Sequence, residues 1–243
     1  MNRDLTKGPV MGSMLAFAVP MILGDLLQQC YNVADTLIVG RYLGKNALAA
    51  VGSSFTLMTF LTSILLGLCM GSGAVFSIRF GQRDRDGLRE GAHAAFALIA
   101  AITLALNAAA FLCLDGVRVF LRVPGEVWPM MREYLAVIFC GIAATFLYNY
   151  FASFLRAVGN SVAPLVFLAA SALVNIGLDL WFVLGLRRGV AGAAEATVIA
   201  QYLSGAGIAA YTLVKHPGLR PGGGRFGLRW GRMREIAGFS ILT

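Results

Sequence analysis

Charge is what this sequence has least of. Asp, Glu, Lys and Arg make up 13% of its 243 residues, against roughly a quarter in an ordinary soluble domain, while 58% are apolar and the mean hydropathy is +0.74. So few charges cannot cover a water-facing surface, which excludes a freely soluble globular domain. Histidine is nearly missing: His93 and His216 are the only two, and neither stands at metal-ligand spacing from another donor. Cys30, Cys69, Cys113 and Cys140 lie far apart in apolar sequence and form no C-x-x-C pair. They read as small packing residues rather than a zinc site or a disulfide framework. A Gly-rich phosphate loop and a nucleophile motif are missing too, and Gly67, Gly71 and Gly73 read as close-packing positions.

What is present is apolar length. A spanning helix needs about 20 mostly apolar residues, and residues 47–78, 92–114, 134–155, 162–186 and 190–214 each supply them, with 11–39 as a sixth, polar-interrupted stretch. The start is basic and then apolar like a signal peptide, but Asp25, Gln28 and Gln29 break the run and no A-x-A-like site follows. It is read as a retained span. The net charge of +8 sits in the connections rather than on one face of a domain, so membrane orientation explains it and nucleic acid does not. Arg3, Lys7, Arg79, Arg83, Arg85, Arg89, Arg156 and the basic residues of 215–234 fall on one side, 13 of the 20 Lys and Arg. Arg41, Lys45, Arg118, Arg122, Arg132, Arg187 and Arg188 fall on the other. That bias places the N-terminus in the cytoplasm and the protein, multi-pass, in the cell membrane.

Between spans the sequence suggests a turn at 40–46, a charged loop at 79–90, a loop at 115–126 with Pro124-Gly125 as its turn, and tight turns at 156–164 and 187–189. Trp128, Arg132 and Tyr134 are read as membrane-interface residues. The expected organisation is a six-helix lobe over 1–214, a basic Gly- and Pro-rich linker over 215–235, and the start of a seventh helix over 236–243, which faintly repeats 15–21.

Acids inside spans carry the functional signal, because a charged side chain at the bilayer centre costs about 2.5–3.5 kcal/mol on insertion scales. Asp25, Asp35, Asp179 and Glu195 all fall there, and none of the five clean stretches contains a Lys or Arg. These acids therefore carry a proton or hold a cation from outside the chain. On a helical wheel Asp25, Gln28, Gln29, Asn32 and Asp35 fall within an arc of about 120°. That face either packs by hydrogen bonds or lines a cavity, and two carboxylates exceed what packing requires. Asn175 and Asp179, at i and i+4, share one side of their span, and Thr197, Gln201 and Ser204 share another. Asp35, Asp179 and Thr197 lie at similar depth, roughly 7–10 Å below one membrane face. Oxygen donors brought together at one level suit a hard cation or a proton. Glu195 projects away from Thr197, toward headgroups or a lobe interface.

At these residues the chain resembles a known family. Pro20, then Gln28 to Gly40 (QQCYNVADTLIVG), Leu48 to Gly52 (LAAVG), Arg156 to Asn160 (RAVGN) before Pro164, Asn175 with Asp179, and Gly189 to Ala194 (GVAGAA) leading to Thr197 and Gln201 look like multidrug and toxic compound extrusion (MATE) transporters. The resemblance covers nearly the whole chain but half the family's usual length. It implies an all-α integral membrane fold in which this chain is the six-helix first lobe of a twelve-helix, two-lobe transporter. It implies export of organic, often cationic, drugs in exchange for Na+ or H+, with no cofactor beyond that coupling ion and no enzymatic reaction. It also implies that Asp35, Asn175, Asp179 and Thr197 form the proton or Na+ site, with Gln28, Tyr31, Asn32, Tyr134 and Gln201 lining the cavity. The partners expected are the lipid bilayer, drug-like small molecules and a missing second lobe. Glu195 departs from the family, which commonly has an apolar residue there.

Three alternatives stand beside that reading. A lipid or oligosaccharide-lipid flippase of related fold should show Lys or Arg clustered in its cavity, and the clean spans have none. A membrane enzyme needs a His or Lys beside its acids. A nonfunctional half-transporter fragment would share the sequence but transport nothing.

Overall fold

The computed structural model describes residues 10–219. Arg3, Lys7, the linker beyond Leu219 and the seventh apolar run lie outside the described residues. In hydrocarbon a backbone must satisfy its own hydrogen bonds, and the described chain does so through helices: α1 Val10–Tyr42, α2 Lys45–Gly81, α3 Arg85–Leu112, α4 Leu114–Phe120, α5 Trp128–Ile138, α6 Ile142–Ala157, α7 Val162–Asp179 and α8 Gly189–Lys215. A 3-10 turn, Phe139–Gly141, joins α5 to α6 into one bent span, and a π-helical turn, Leu180–Gly185, extends α7. Among the described residues, six units are long and apolar enough to cross a membrane: Met14–Tyr42, Lys45–Gly81, Arg85–Leu112, Trp128–Ala157, Val162–Gly185 and Gly189–Lys215.

Several connections are shorter than the sequence suggests. The charged 79–90 loop shrinks to Gln82, Arg83 and Asp84, because Asp84 caps α3: its carboxylate accepts from the Gly87 N–H at 2.8 Å and from Arg79 at 3.2 Å. The 115–126 loop contains α4, whose Asp115 accepts from Arg132 Nε at 3.1 Å. Both side chains of that pair stay exposed. Tyr134 is not an interface residue; it is buried inside the bundle. Of the cysteines only Cys69 is buried, whereas Cys30, Cys113 and Cys140 are exposed. In a bilayer an apolar side chain gains nothing by turning inward, so apolar surroundings in the sequence do not imply a packed site.

The core lies where α2, α3 and α6 converge, with α8 packed on α6. Phe76, Phe96, Phe146, Tyr150, Phe151 and Phe154 form an aromatic cluster with ring centroids 5.2–6.2 Å apart, and the Tyr150 hydroxyl donates to the Ala92 carbonyl at 2.6 Å. α8 approaches α6 closely at Gly205, where a Cβ would stand 2.9 Å from the Ala144 carbonyl oxygen. That contact is the reason for glycine. α1 leans on α7 and α2, and Leu15, Ile22, Leu26, Val33 and Leu37 on it are exposed.

Candidate functional site

Three helices deliver the site. Asp35 sits seven residues before the end of α1, Asp179 closes the α-helical part of α7, and Thr197 lies eight residues into α8. At 1.5 Å per residue these offsets put all three roughly 10 Å below the same end of the bundle. Asn175, one turn before Asp179, donates through Nδ2 to Thr197 Oγ1 at 3.3 Å, and Thr197 donates to the Ala193 carbonyl at 3.1 Å. The Asp35 and Asp179 carboxyl groups are within hydrogen-bonding reach of each other. All four residues are buried: Asp179 and Asn175 fully, Thr197 and Asp35 nearly so.

The hydrogen-bond balance of this cluster is one-sided. Asp35 Oδ1, Asn175 Oδ1 and both Asp179 carboxylate oxygens are buried without a donor. Each unsatisfied buried group costs about 1–3 kcal/mol and a charged one more. No Lys or Arg forms an ion pair with either acid among the described residues. A convergent set of acceptors without donors calls for a proton or a cation. Its oxygens, from two carboxylates and an amide beside a hydroxyl, fit a hard ion such as Na+.

The cluster borders a cavity of about 700 Å³. Asp35, Thr197, Gln28, Tyr31, Asn32, Tyr134 and Gln201 line it, whereas Asn175 and Asp179 stand one layer behind its wall. Tyr31 and Thr197 face the same cavity, and the Tyr134 ring lies near both acids. Glu195 stands apart: it pairs with Arg188 at 2.8 Å. Both side chains of the pair are partly exposed, and the partner lies in the 187–189 turn, two helical turns earlier on the same face. Tyr148, Asn149 and Ser171, which line an adjoining pocket with Gln28 and Gln201, escaped the sequence reading. Asn149 carried a usable signal, an amide within an apolar stretch.

The family model described as MatE matches residues 20–181. The chain belongs to the MatE family. It is 32% identical over 198 residues to the probable multidrug resistance protein YpnP of Bacillus subtilis, covering 82% of this chain and 44% of that protein. It is 27% identical over 227 residues to the probable multidrug resistance protein NorM of Thermotoga maritima, covering 92% and 48%. Among solved structures it superposes on a MOP-superfamily transporter from Pyrococcus furiosus with a TM-score of 0.89 at 25% identity, covering 98% of this chain and 53% of that one. An outward-facing multidrug resistance MATE transporter matches with a TM-score of 0.86 at 25% identity, covering 94% and 52%. The MatE chain thus spans about half the length of the curated relatives it matches. It is an all-helical multi-pass membrane protein of a transporter family, with the helix order of one half of these structures.

Proposed function

We propose that this MatE chain takes part in secondary active multidrug efflux, exporting organic, often cationic, compounds in exchange for Na+ or H+, and that it performs no enzymatic reaction. The observation that carries this reading is the set of buried, donorless oxygens on Asp35, Asn175 and Asp179. A group of acceptors that becomes satisfied only when an ion arrives is the local switch a coupled transporter needs, since occupancy changes the relative stability of its conformations. Gln28, Tyr31, Asn32, Tyr134 and Gln201 would line the route from the adjoining cavity. The likeness to half of each relative supports a working unit in which this lobe over 1–214 faces a second one across a central cavity, joined through the linker over 215–235 and a seventh helix starting within 236–243. The distribution of Arg and Lys supports a cell-membrane protein with its N-terminus in the cytoplasm.

The test is drug efflux from proteoliposomes carrying the protein expressed from its full reading frame, with a Na+ or a pH gradient imposed separately. Efflux driven by one gradient and abolished by its collapse is expected. Efflux indifferent to both would overturn cation coupling.

A further inference from the structure

A second cavity, of about 470 Å³, opens between α1, α2, α6 and α7, with Met21, Leu66, Met70 and Leu165 among its apolar walls. Its size is that of a small-molecule site. Two opposite charges line it: Asp25 from the middle of α1 and Arg156 from the last turn of α6. Asp25 lies ten residues, about 15 Å along the helix, from Asp35, so this cavity is distinct from the cation cluster. Arg156 sits at the opposite end of the bundle from that cluster, near Arg83 and His216 in the alternation of spans.

Neither charge is neutralised by another described residue. Among the described residues Asp25 and Arg156 have no ion-pair partner, and they do not pair with each other. Tyr148 lies in the field of both, but its hydroxyl is committed to the Pro164 carbonyl at 3.0 Å and cannot bridge them. Asn149 donates to the Thr145 carbonyl at 2.8 Å, which leaves its own carbonyl oxygen free to accept. The cavity is therefore apolar in its walls and dipolar in its charges, whereas the 700 Å³ cavity carries acid alone. A simple cation would satisfy Asp25 and meet repulsion from Arg156, and an anion would meet the reverse. A molecule bearing both signs satisfies both groups at once, and specificity follows from the repulsion as much as from the attraction.

We infer that this cavity binds an organic zwitterion, with its ammonium on the Asp25 carboxylate and its carboxylate or phosphate on the Arg156 guanidinium. A planar guanidinium takes a carboxylate or phosphate two-pronged, and the apolar walls take the body of the molecule. The inference uses only the cavity and its charges, so it stands or falls independently of cation coupling.

Binding is measured by fluorescence on the purified chain in phosphatidylglycerol nanodiscs, whose headgroup carries no ammonium, without any gradient. Three probes share one fluorophore: Nε-dansyl-lysine is zwitterionic, dansylcadaverine cationic and dansyl-6-aminohexanoic acid anionic. Dansyl-lysine should bind at least about tenfold more tightly than either of the others. Asp25→Asn should lower it to the level of the anionic probe and Arg156→Gln to that of the cationic one, while Asp25→Glu and Arg156→Lys keep most of the preference. If a neutral variant fails to fold, Leu165→Trp, which fills the cavity without removing a charge, should abolish dansyl-lysine binding. Nanodiscs of phosphatidylethanolamine separate two sources of the same chemistry. Competition lost in the two neutral variants identifies a lipid headgroup as occupant, and undiminished binding identifies a free molecule. Equal affinity for the three probes, or a zwitterion preference that survives both neutral variants, overturns the inference.

Discussion

Replacing either acid of the cluster by its amide tests the site most directly. In Asp35→Asn or Asp179→Asn the shape is nearly kept, but an Nδ2–H now donates to an oxygen that lacks a donor in the wild type. Each variant should then be at least as stable as the cation-free wild type, because the amide does internally what the cation did. What it loses is the response to the ion. If Na+ binds the folded chain alone, a concentration one hundred times its Kd adds about 2.7 kcal/mol of stability. For a chain of this size that is a rise in Tm of roughly 5–11 °C. The assay is a thermal-shift titration of the purified chain with NaCl against choline chloride, and against pH. In the wild type one of these two ions should shift Tm, and in both variants the shift should vanish. The double variant should respond no less than either single one, since a two-residue unit broken once has nothing further to lose. Single variants that keep the full wild-type response to both Na+ and pH would show that these carboxylates are structural.

Further outcomes follow from individual contacts. Gly205→Leu should lower Tm through overpacking of about 1–3 kcal/mol at the α6–α8 contact, and a variant as stable as wild type would disprove that close approach. Glu195→Gln should leave the Na+ or pH response of Tm intact and change stability by less than about 1 kcal/mol, because the Arg188 pair is partly exposed; loss of the response would bring Glu195 into the site. With the native cysteines replaced, an impermeant thiol reagent added to intact cells should label Arg187→Cys and spare Arg83→Cys, and the reverse pattern would invert the orientation. Burial against Phe154 lowers the His216 pKa below its ordinary 6.5. The neutral ring is favoured in the folded state, so its contribution is present above pH 6.5 and is lost as pH falls below that value. Hydrogen-exchange protection factors in the last turn of α8, corrected for the intrinsic pH dependence of exchange, should fall over that range in the wild type and not in His216→Phe.

How much of this was legible in the sequence depends on what each feature rests on. The six spans rest on apolar length, which the bilayer enforces, so their number and order could be read directly even though the short connections could not. Asp84 moves the 79–90 boundary by capping α3, a local effect that a count of charges overlooks. Asp35, Asn175, Asp179 and Thr197 were legible because polar groups at membrane depth are costly and because an i, i+4 spacing fixes a shared face. The π-helical turn after Asp179 has no such signature: it is a change of hydrogen-bond register set by packing against α8 and α1. Periodicity likewise gives the face on which a residue lies but not the helix that face meets. The polar stripe of α1 reads as one continuous feature from Asp25 to Asp35, yet the fold divides it: its Asp35 end meets α7 and α8 at a cluster of acids, and its Asp25 end meets α6 across a cavity that also holds Arg156. Two acids on one stripe therefore acquire different chemistry, one sharing its place with another carboxylate and the other facing a guanidinium, and only the arrangement of helices decides which is which.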